Sequence, residues 1–244
     1  MLNFIFCIFF CLININQFLY GFSTRPSGRG RYFTRIDDPE LKRSRNIYLF
    51  GDCHVDEFYG IPDCYPTIIG QTTLHRLGRD KLDVLNLTDY NCEFRDGDAV
   101  VFSFGQIDVG WHICKIRDKQ HRDLNEIIMT LAVGYIDAIN LITQNYPNLI
   151  KVIYSITPPT DYTHVPEKPY IGSLRERVLI TKQLNNLIKS MCPMNGIEFL
   201  DVYDDYSDEN GVLTYVLSDH SHHIERRYNC MIKRRLYDIL NRCP

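Results

Sequence analysis

Short apolar runs alternate with longer segments of helical periodicity along most of the chain. The apolar runs are nearly continuous rather than alternating, which is typical of strands buried on both faces. They predict strands at 46–50, 84–87, 99–104, 150–156 and 197–202. Apolar residues at helical spacing predict helices at 124–144, 174–191 and 226–240. This succession predicts an α/β fold, namely a three-layer α/β/α, flavodoxin-like, doubly wound parallel sheet of about five strands.

The chain divides into three parts by composition. Of its 244 residues, 45% are hydrophobic, which suffices for one domain with a full core. We assign that domain to residues 46–244. Residues 1–22 form an apolar leader, which is either a signal peptide or a membrane anchor, and residues 23–45 form a basic linker with seven Lys and Arg residues.

Charge narrows the range of partners and compartments. No Lys or Arg precedes the apolar leader, which is unlike a secretory signal, and positive charge after a membrane span favours a cytosolic position. We therefore favour a cytoplasmic or membrane-anchored protein over a secreted one, with any membrane contact made through residues 1–22. A net charge of −3 and a pI near 6.2 provide no general basic field, so no nucleic acid partner is expected.

Nine cysteines are spread along the chain without the paired spacing of a metal site or a dense disulfide framework. We expect several of them to be free thiols that act as small buried hydrophobic residues, as in proteins of a reducing compartment. Cys53 differs from the rest because it follows directly on the first predicted strand, in the sequence Gly51-Asp52-Cys53-His54. A cysteine at the carboxyl end of a parallel strand lies where α/β folds place their chemistry.

Two further polar segments follow the same logic. Gly105-Gln106-Ile107-Asp108 comes after the third predicted strand, and Asp219-His220-Ser221-His222-His223 precedes the last helix. In a doubly wound sheet these loops converge with Cys53 on one edge. A thiol, an imidazole and a carboxylate that meet there can perform nucleophilic catalysis. Two alternatives stay open, since the second segment could bind a metal and Asp108 could cap a turn or the following segment.

From about Ile47 to Leu240, the sequence resembles the SGNH (GDSL-like) hydrolase superfamily. Gly51-Asp52-Cys53 resembles the Gly-Asp-Ser nucleophile block, with Cys in the serine position, and Gly70 is similar to the glycine of the second block. Gly105-Gln106-Ile107-Asp108 resembles the third block, Gly-x-Asn-Asp, and more closely a subgroup with Gly-Glu-Ile-Asp followed by Arg and His. Asp219 and His222 match the Asp-x-x-His block.

The resemblance implies an ester hydrolase that forms a covalent acyl-enzyme on Cys53, with His222 as base and Asp219 as its orienting residue. It implies oxyanion donors at the backbone N–H groups of Cys53 and Gly70, and we add Gln106 as a candidate. No metal and no cofactor is expected. The substrate would be a small-molecule or glycan ester, such as an acyl or acetyl ester of a carbohydrate. The other residues that we assign to the substrate site are Asp52, His54, Gly105, Asp108, His112 and His223.

Three positions depart from the pattern of the superfamily. Cys53 replaces serine, Ile107 replaces the oxyanion Asn, and Gly110 stands where the subgroup has Arg. Because an isoleucine side chain cannot donate a hydrogen bond, Gln106 or His112 would have to supply the third donor. These departures keep two alternatives open: a catalytically silent SGNH-like domain that binds a glycan or a protein, and an acyltransferase.

Overall fold

A five-stranded parallel sheet forms the centre of the molecule. The computed structural model describes residues 45–161 and 170–243. The strands are β1 (Ile47–Gly51), β2 (Cys64–Ile68), β3 (Ala99–Ser103), β4 (Ile150–Tyr154) and β5 (Ile197–Leu200). All neighbouring pairs are parallel, in the order β2-β1-β3-β4-β5. The predicted fold class is confirmed. The predicted leader, and the linker up to residue 44, lie outside the described residues.

Helices cover both faces of the sheet. They are α1 (Leu74–Asp80), α2 (Ile113–Gln120), α3 (Leu124–Ile142), α4 (Leu174–Met191), α5 (Tyr203–Tyr206) and α6 (Cys230–Arg242). The side chains of β1 alternate between the two layers. Tyr48 and Phe50 pack with α1, α3 and α4, whereas Ile47 and Leu49 pack with the 3₁₀ segment Cys53–Phe58, α5 and α6. This alternation produces two apolar cores, one on each face of the sheet.

The predicted strand at 84–87 is wrong, and β2 was missed. Residues 84–86 connect two 3₁₀ turns, and Leu87 begins the second, where the side chain of Asn86 accepts a hydrogen bond from the backbone N–H of Thr88. β2 is a half-exposed edge strand that contains Pro66. Proline has no backbone N–H to donate, and at a sheet edge this need not remove a hydrogen bond between strands. However, Pro66 interrupts the apolar run by which a strand is predicted from sequence.

Two of the three long predicted helices agree closely with the structure. The prediction at 174–191 coincides with α4, and that at 124–144 exceeds α3 by two residues at its end. The predicted helix at 226–240 is divided into a 3₁₀ turn at Arg226–Tyr228 and α6. Among the described residues, α3 is the one helix that is long and apolar enough to cross a membrane. Half of its hydrophobic window is buried in the core beside the sheet, as expected of a core helix.

The strand order places the predicted chemistry at a topological switch point. The chain leaves β1 toward β2 on one side and reaches β3 on the other, so the connections after β1 and β3 diverge in opposite directions. The carboxyl ends of these central strands are adjacent, with Gly51 opposite Ser103. A crevice at such a point is the usual ligand site of open α/β sheets. Cys53 and Gln106 both follow closely on these two strand ends.

Candidate active site

The turn that carries Cys53 begins at a close approach between β1 and β3. A Cβ atom on Gly51 would lie 2.1 Å from the backbone oxygen of Ser103, so the close pairing requires glycine there. Asp52 then caps the 3₁₀ segment, since its carboxylate accepts a hydrogen bond from the backbone N–H of His54 over 3.0 Å. Cys53 is the first residue of this segment and is half-buried. The turn thus presents the thiol at the edge of the sheet.

The loop that carries the histidines is folded around the carboxylate of Asp219. Asp219 Oδ1 accepts hydrogen bonds from the backbone N–H groups of Ser221 at 2.8 Å and His223 at 3.2 Å. His220 adopts a positive φ of 62°, and an antiparallel bridge joins Ser218 to Ile224. This tight turn brings two consecutive imidazoles to Cys53.

Asp219 is paired with His223 rather than with His222. The Nδ1–H of His223 donates to Asp219 Oδ2 over 2.9 Å, whereas Nδ1 of His222 is 2.8 Å from the hydroxyl of Ser221. His222 Nε2 lies 3.8 Å from Cys53 Sγ. The expected contact between Asp219 and His222 is therefore replaced by a contact one residue further along. The thiol therefore has its short contact with the ring of His222, whereas the carboxylate is hydrogen-bonded to the ring of His223.

His54 forms a second imidazole–carboxylate pair beneath the thiol. Its buried ring faces an acceptor at each nitrogen: Nδ1 is 3.0 Å from Asp52 Oδ1, and Nε2 is 3.3 Å from the carbonyl oxygen of His222. Burial opposes a charge on this ring, but the Asp52 carboxylate raises the pKa of His54 well above its usual value. His54 therefore connects the turn that carries Cys53 to the histidine loop and adds positive charge near the thiol.

The surrounding imidazoles favour the thiolate form of Cys53. Burial alone would raise the pKa of this thiol, but hydrogen bonding to His222, His223 and His54 lowers it to about 3. Burial also opposes the charge on His223, yet Asp219 raises the pKa of His223 to about 9. The pKa of His222 is lowered by burial and by the neighbouring positive rings. At neutral pH the site thus contains a thiolate, a charged His223 and a neutral His222.

Glu57 anchors the histidine loop and was missed in the sequence analysis. Its buried carboxylate accepts hydrogen bonds from the hydroxyl of Tyr154 at 2.6 Å and from the backbone N–H of Ile224 at 3.0 Å. Asn229 donates to the backbone oxygen of Glu57 over 2.9 Å. The available sequence signal was an acidic residue four positions after Cys53, directly before the apolar Phe58. Its partners come from distant parts of the chain, so the pattern alone did not reveal them.

The predicted oxyanion residues lie at the same edge of the sheet. Gly70 follows β2 by two residues and has a φ of +80°. Gln106 lines a small cavity together with Asp52 and His54, and its side-chain oxygen is 3.5 Å from the hydroxyl of Thr157. Gly105 has a packing reason to be glycine, since a Cβ atom there would lie 2.5 Å from a methyl carbon of Ile156.

Asp108 and His112 contact α1 instead of Cys53. The fully buried Asp108 carboxylate accepts hydrogen bonds from the backbone N–H of Leu74 at 2.6 Å and of His75 at 3.4 Å. Burial raises the pKa of Asp108 to about 7. The ring of His112 lies 4.9 Å from that of His75, and burial lowers the pKa of His112 to about 4. Asp108 therefore accepts from the start of α1, an earlier element, and not from the turn or the following segment that the sequence had left open.

An open groove of about 270 Å³ lies beside His223. It is lined by Asp56, Glu57, Asp219, His223, Ile224, Glu225 and Arg226. This volume is slightly below the range of about 300–1,000 Å³ that is usual for small-molecule sites. Two residue groups here could hold a metal ion by the proximity of their ligand atoms, namely Cys53 with His222 and His223, and Asp52 with Cys53 and His54.

The overall arrangement matches known structures. No protein-family model matches the chain, and no curated protein does either. Among solved structures, a GDSL-like lipase from Bacteroides thetaiotaomicron superposes with a TM-score of 0.53 at 12% identity, covering 82% of this chain and 89% of the lipase. The chain has the SGNH hydrolase fold.

Two further SGNH-like structures agree with this result. A protein from Streptococcus pneumonia with the provisional name platelet activating factor has a TM-score of 0.55 and 19% identity, over 82% of this chain and 86% of its own. A Bacteroides fragilis protein provisionally named an acylhydrolase has a TM-score of 0.53 and 14% identity, over 82% and 88%. The resemblance read from the sequence blocks is confirmed for the SGNH fold, while the cysteine nucleophile and the residue roles stay predictions.

Proposed function

We propose that this protein is an ester hydrolase that acts through a covalent acyl-enzyme on Cys53. The observation that carries the proposal is the 3.8 Å distance between Cys53 Sγ and His222 Nε2 at the switch point of an SGNH-type sheet. The names of the structural neighbours, a lipase and an acylhydrolase, support ester chemistry at this coarse level. A small-molecule ester is the corresponding substrate class.

The first half of the proposed reaction is acylation. The Cys53 thiolate attacks the ester carbonyl carbon, and the carbonyl electron pair moves to oxygen to form a tetrahedral oxyanion. Backbone N–H groups at Cys53 and Gly70 are the candidate donors to that oxyanion. As the intermediate collapses, the C–O bond of the ester breaks and the charged His223 gives its proton to the leaving alkoxide, which leaves His223 neutral. The products of this half are an alcohol and a thioester on Cys53.

The second half of the proposed reaction is hydrolysis of the thioester. His222, which is neutral at pH 7 because its pKa is lowered, takes a proton from water, and the resulting hydroxide attacks the thioester. The C–S bond then breaks, which releases the carboxylic acid and regenerates the Cys53 thiolate. The proton that His222 took from water passes to the adjacent His223, which Asp219 holds in place, and this restores the charged His223 of the starting state. The net reaction converts an ester and water into an acid and an alcohol.

The test is turnover of p-nitrophenyl acetate by the full chain, with intact-mass detection of an acetyl adduct. Cys53→Ala should lower turnover by at least roughly 10³-fold and remove the adduct, because the nucleophile is lost. Cys53→Ser should keep or raise activity if the rest of the site suits a hydroxyl. Cys230→Ala is the matched control, since this exposed thiol should leave both readouts unchanged. Full turnover in the Cys53→Ala protein would refute the assignment.

A second candidate function is a catalytically silent domain that binds a glycan or a protein. Ile107 favours it, because an apolar side chain stands where the SGNH hydrolases have a donor to the oxyanion. The test uses the folded wild-type protein. Binding to an immobilised glycan, without turnover of activated esters and without a covalent adduct, would support this second function.

A further inference from the structure

Three potential metal-ligand atoms lie together at the edge of the sheet. Cys53 Sγ, one ring nitrogen of His222 and one of His223 are all within 4.8 Å of one another, and Sγ is 3.8 Å from His222 Nε2. In a tetrahedral zinc site with bonds of 2.0–2.3 Å, neighbouring ligand atoms are roughly 3.5 Å apart. Small side-chain rotations would bring the three atoms to that separation.

The outer contacts of both imidazoles leave the correct nitrogen available. Asp219 accepts from His223 Nδ1 over 2.9 Å, and the hydroxyl of Ser221 lies 2.8 Å from His222 Nδ1. A carboxylate or hydroxyl on the far nitrogen is the usual support of a zinc-binding histidine, because it fixes the orientation of the ring. The other ring nitrogen of His223, Nε2, is buried; this ring interacts with the Cys53 thiolate, but Nε2 has no hydrogen bond of ordinary length among the described residues. A metal ion bound to the thiolate would give that nitrogen a direct ligand bond.

We propose that Cys53, His222 and His223 form a zinc-binding site with three protein ligands. One thiolate and two imidazoles are a ligand set that Zn²⁺ accepts readily, whereas Mg²⁺ and Ca²⁺ prefer oxygen. Three protein ligands would leave the fourth tetrahedral position of the zinc ion to a water molecule. His54 is not a ligand, because Asp52 and the carbonyl of His222 already engage its two ring nitrogens.

Zinc at this site would inhibit the enzyme reversibly. The metal would occupy the electron pair with which Cys53 attacks the ester, and binding would release the protons carried by the ligand atoms. This consequence rests on the proposed function. Zinc binding itself does not, since a silent domain with the same three side chains would bind the ion equally well.

The experiment is a Co²⁺ titration of the reduced full chain, followed by displacement with Zn²⁺. Cobalt in a site of this kind produces a thiolate-to-metal absorption band, which reports ligation without any need for activity. We expect the band to saturate at one equivalent and to disappear when Zn²⁺ is added. Cys53→Ala should abolish it, and His222→Ala and His223→Ala should each weaken cobalt binding by 10-fold or more.

Two variants test whether the binding is specific. Asp219→Asn should weaken cobalt affinity by about 10–100-fold, because it removes the carboxylate behind His223. His220→Asn is the matched control within the same loop, since Asn tolerates the positive φ at this position and the His220 side chain is outside the proposed ligand set. It should leave the titration unchanged, and circular dichroism should confirm that all variants are folded.

Different outcomes separate the two proposals. A band that survives in Cys53→Ala, or that is equally strong in His222→Ala and His223→Ala, would overturn the zinc site. Esterase activity that is insensitive to Zn²⁺, in a protein without the band, would overturn the zinc site and leave the proposed function intact. A saturable, Cys53-dependent band in a protein without esterase activity would support the site and count against the function.

Discussion

At the scale of single residues, the adjacent imidazoles of His222 and His223 occupy different positions around Cys53. His222 Nε2 lies 3.8 Å from Cys53 Sγ, and His223 Nδ1 is hydrogen-bonded to the carboxylate of Asp219. Consecutive side chains point in different directions in most backbones, but the tight turn at 219–223 lets both rings reach the thiol. The ring centroids of the two histidines are 4.0 Å apart. The division of roles between them can be tested by substitution.

His222→Ala should lower kcat for p-nitrophenyl acetate by roughly 10²–10⁴-fold, because it removes the general base. His223→Ala should have a smaller effect. Asp219→Asn should add little to His223→Ala, because Asp219 acts through that ring, and a double-mutant cycle measures this coupling. An inactive His223→Ala beside an active His222→Ala would identify His223 as the base instead.

Asp108 makes a pH-dependent contribution to stability. Burial raises its pKa in the folded protein to about 7 from an ordinary 3.8, so between these values the folded state binds a proton that the unfolded state does not. Stability from this group is therefore fully present below about pH 4 and is lost as the pH rises through 7. Asp108→Asn should remove that part of the pH dependence, as measured by urea unfolding at pH 4.5 and 7.5. An unchanged slope would contradict the assignment.

At the scale of elements, Glu57 joins the 3₁₀ segment after β1 to the histidine loop and to the end of β4. Its carboxylate accepts from Ile224 N–H and from the hydroxyl of Tyr154, two residues that are far apart in the chain. The position of both imidazoles therefore depends on a residue outside the loop. This connection explains why a buried acid is retained in an apolar layer at a cost in desolvation.

Glu57→Ala should destabilise the protein by roughly 1–3 kcal/mol and should lower activity, because two buried donors lose their acceptor. Glu57→Gln should restore most of both properties, since its amide oxygen can still accept from Ile224 and its amide group can donate to Tyr154. Urea unfolding and esterase turnover measure the two effects. Equal losses in both variants would mean that the negative charge, and not the hydrogen bonds, is required.

At the scale of the whole molecule, the ends of the described domain are tied together. The guanidinium of Arg45 donates to the backbone oxygen of Leu240 at 2.7 Å and to that of Cys243 at 3.1 Å. These bonds connect Arg45, two residues before β1, to the end of α6. The predicted boundary at residue 46 therefore omits one residue that contacts the domain.

A protein composed of residues 45–244 should fold on its own and unfold in one cooperative transition, because both cores and their connections lie within it. Arg45→Ala in that protein should lower stability by roughly 1 kcal/mol. Thermal unfolding followed by circular dichroism tests both statements. Aggregation of the shortened protein, beside a soluble full chain, would show that residues 1–44 are needed for folding.

The hydrophobic pattern determined the strand at 46–50, the helices around 124–144 and 174–191, and the layered fold, because continuous apolar runs and 3.6-residue periodicity report burial directly. It failed for β2, where Pro66 and partial exposure interrupt the apolar run. It also failed at 84–87, where Leu85 is buried between two 3₁₀ turns and Leu87 is buried in the second of them. The local pattern of apolar residues therefore predicts the fold class, but it does not predict a half-exposed edge strand.

The sequence by itself also determined which types of residue meet at the edge of the sheet. Cys53, Asp219 and His222 were found from their places relative to predicted strands and from the resemblance to SGNH hydrolases. Only the tertiary structure decided that Asp219 pairs with His223, that Asp108 caps α1 and that Glu57 fastens the histidine loop. The reason is physical: hydrogen bonds depend on side-chain direction to within an ångström, and that direction is set by residues distant in the chain.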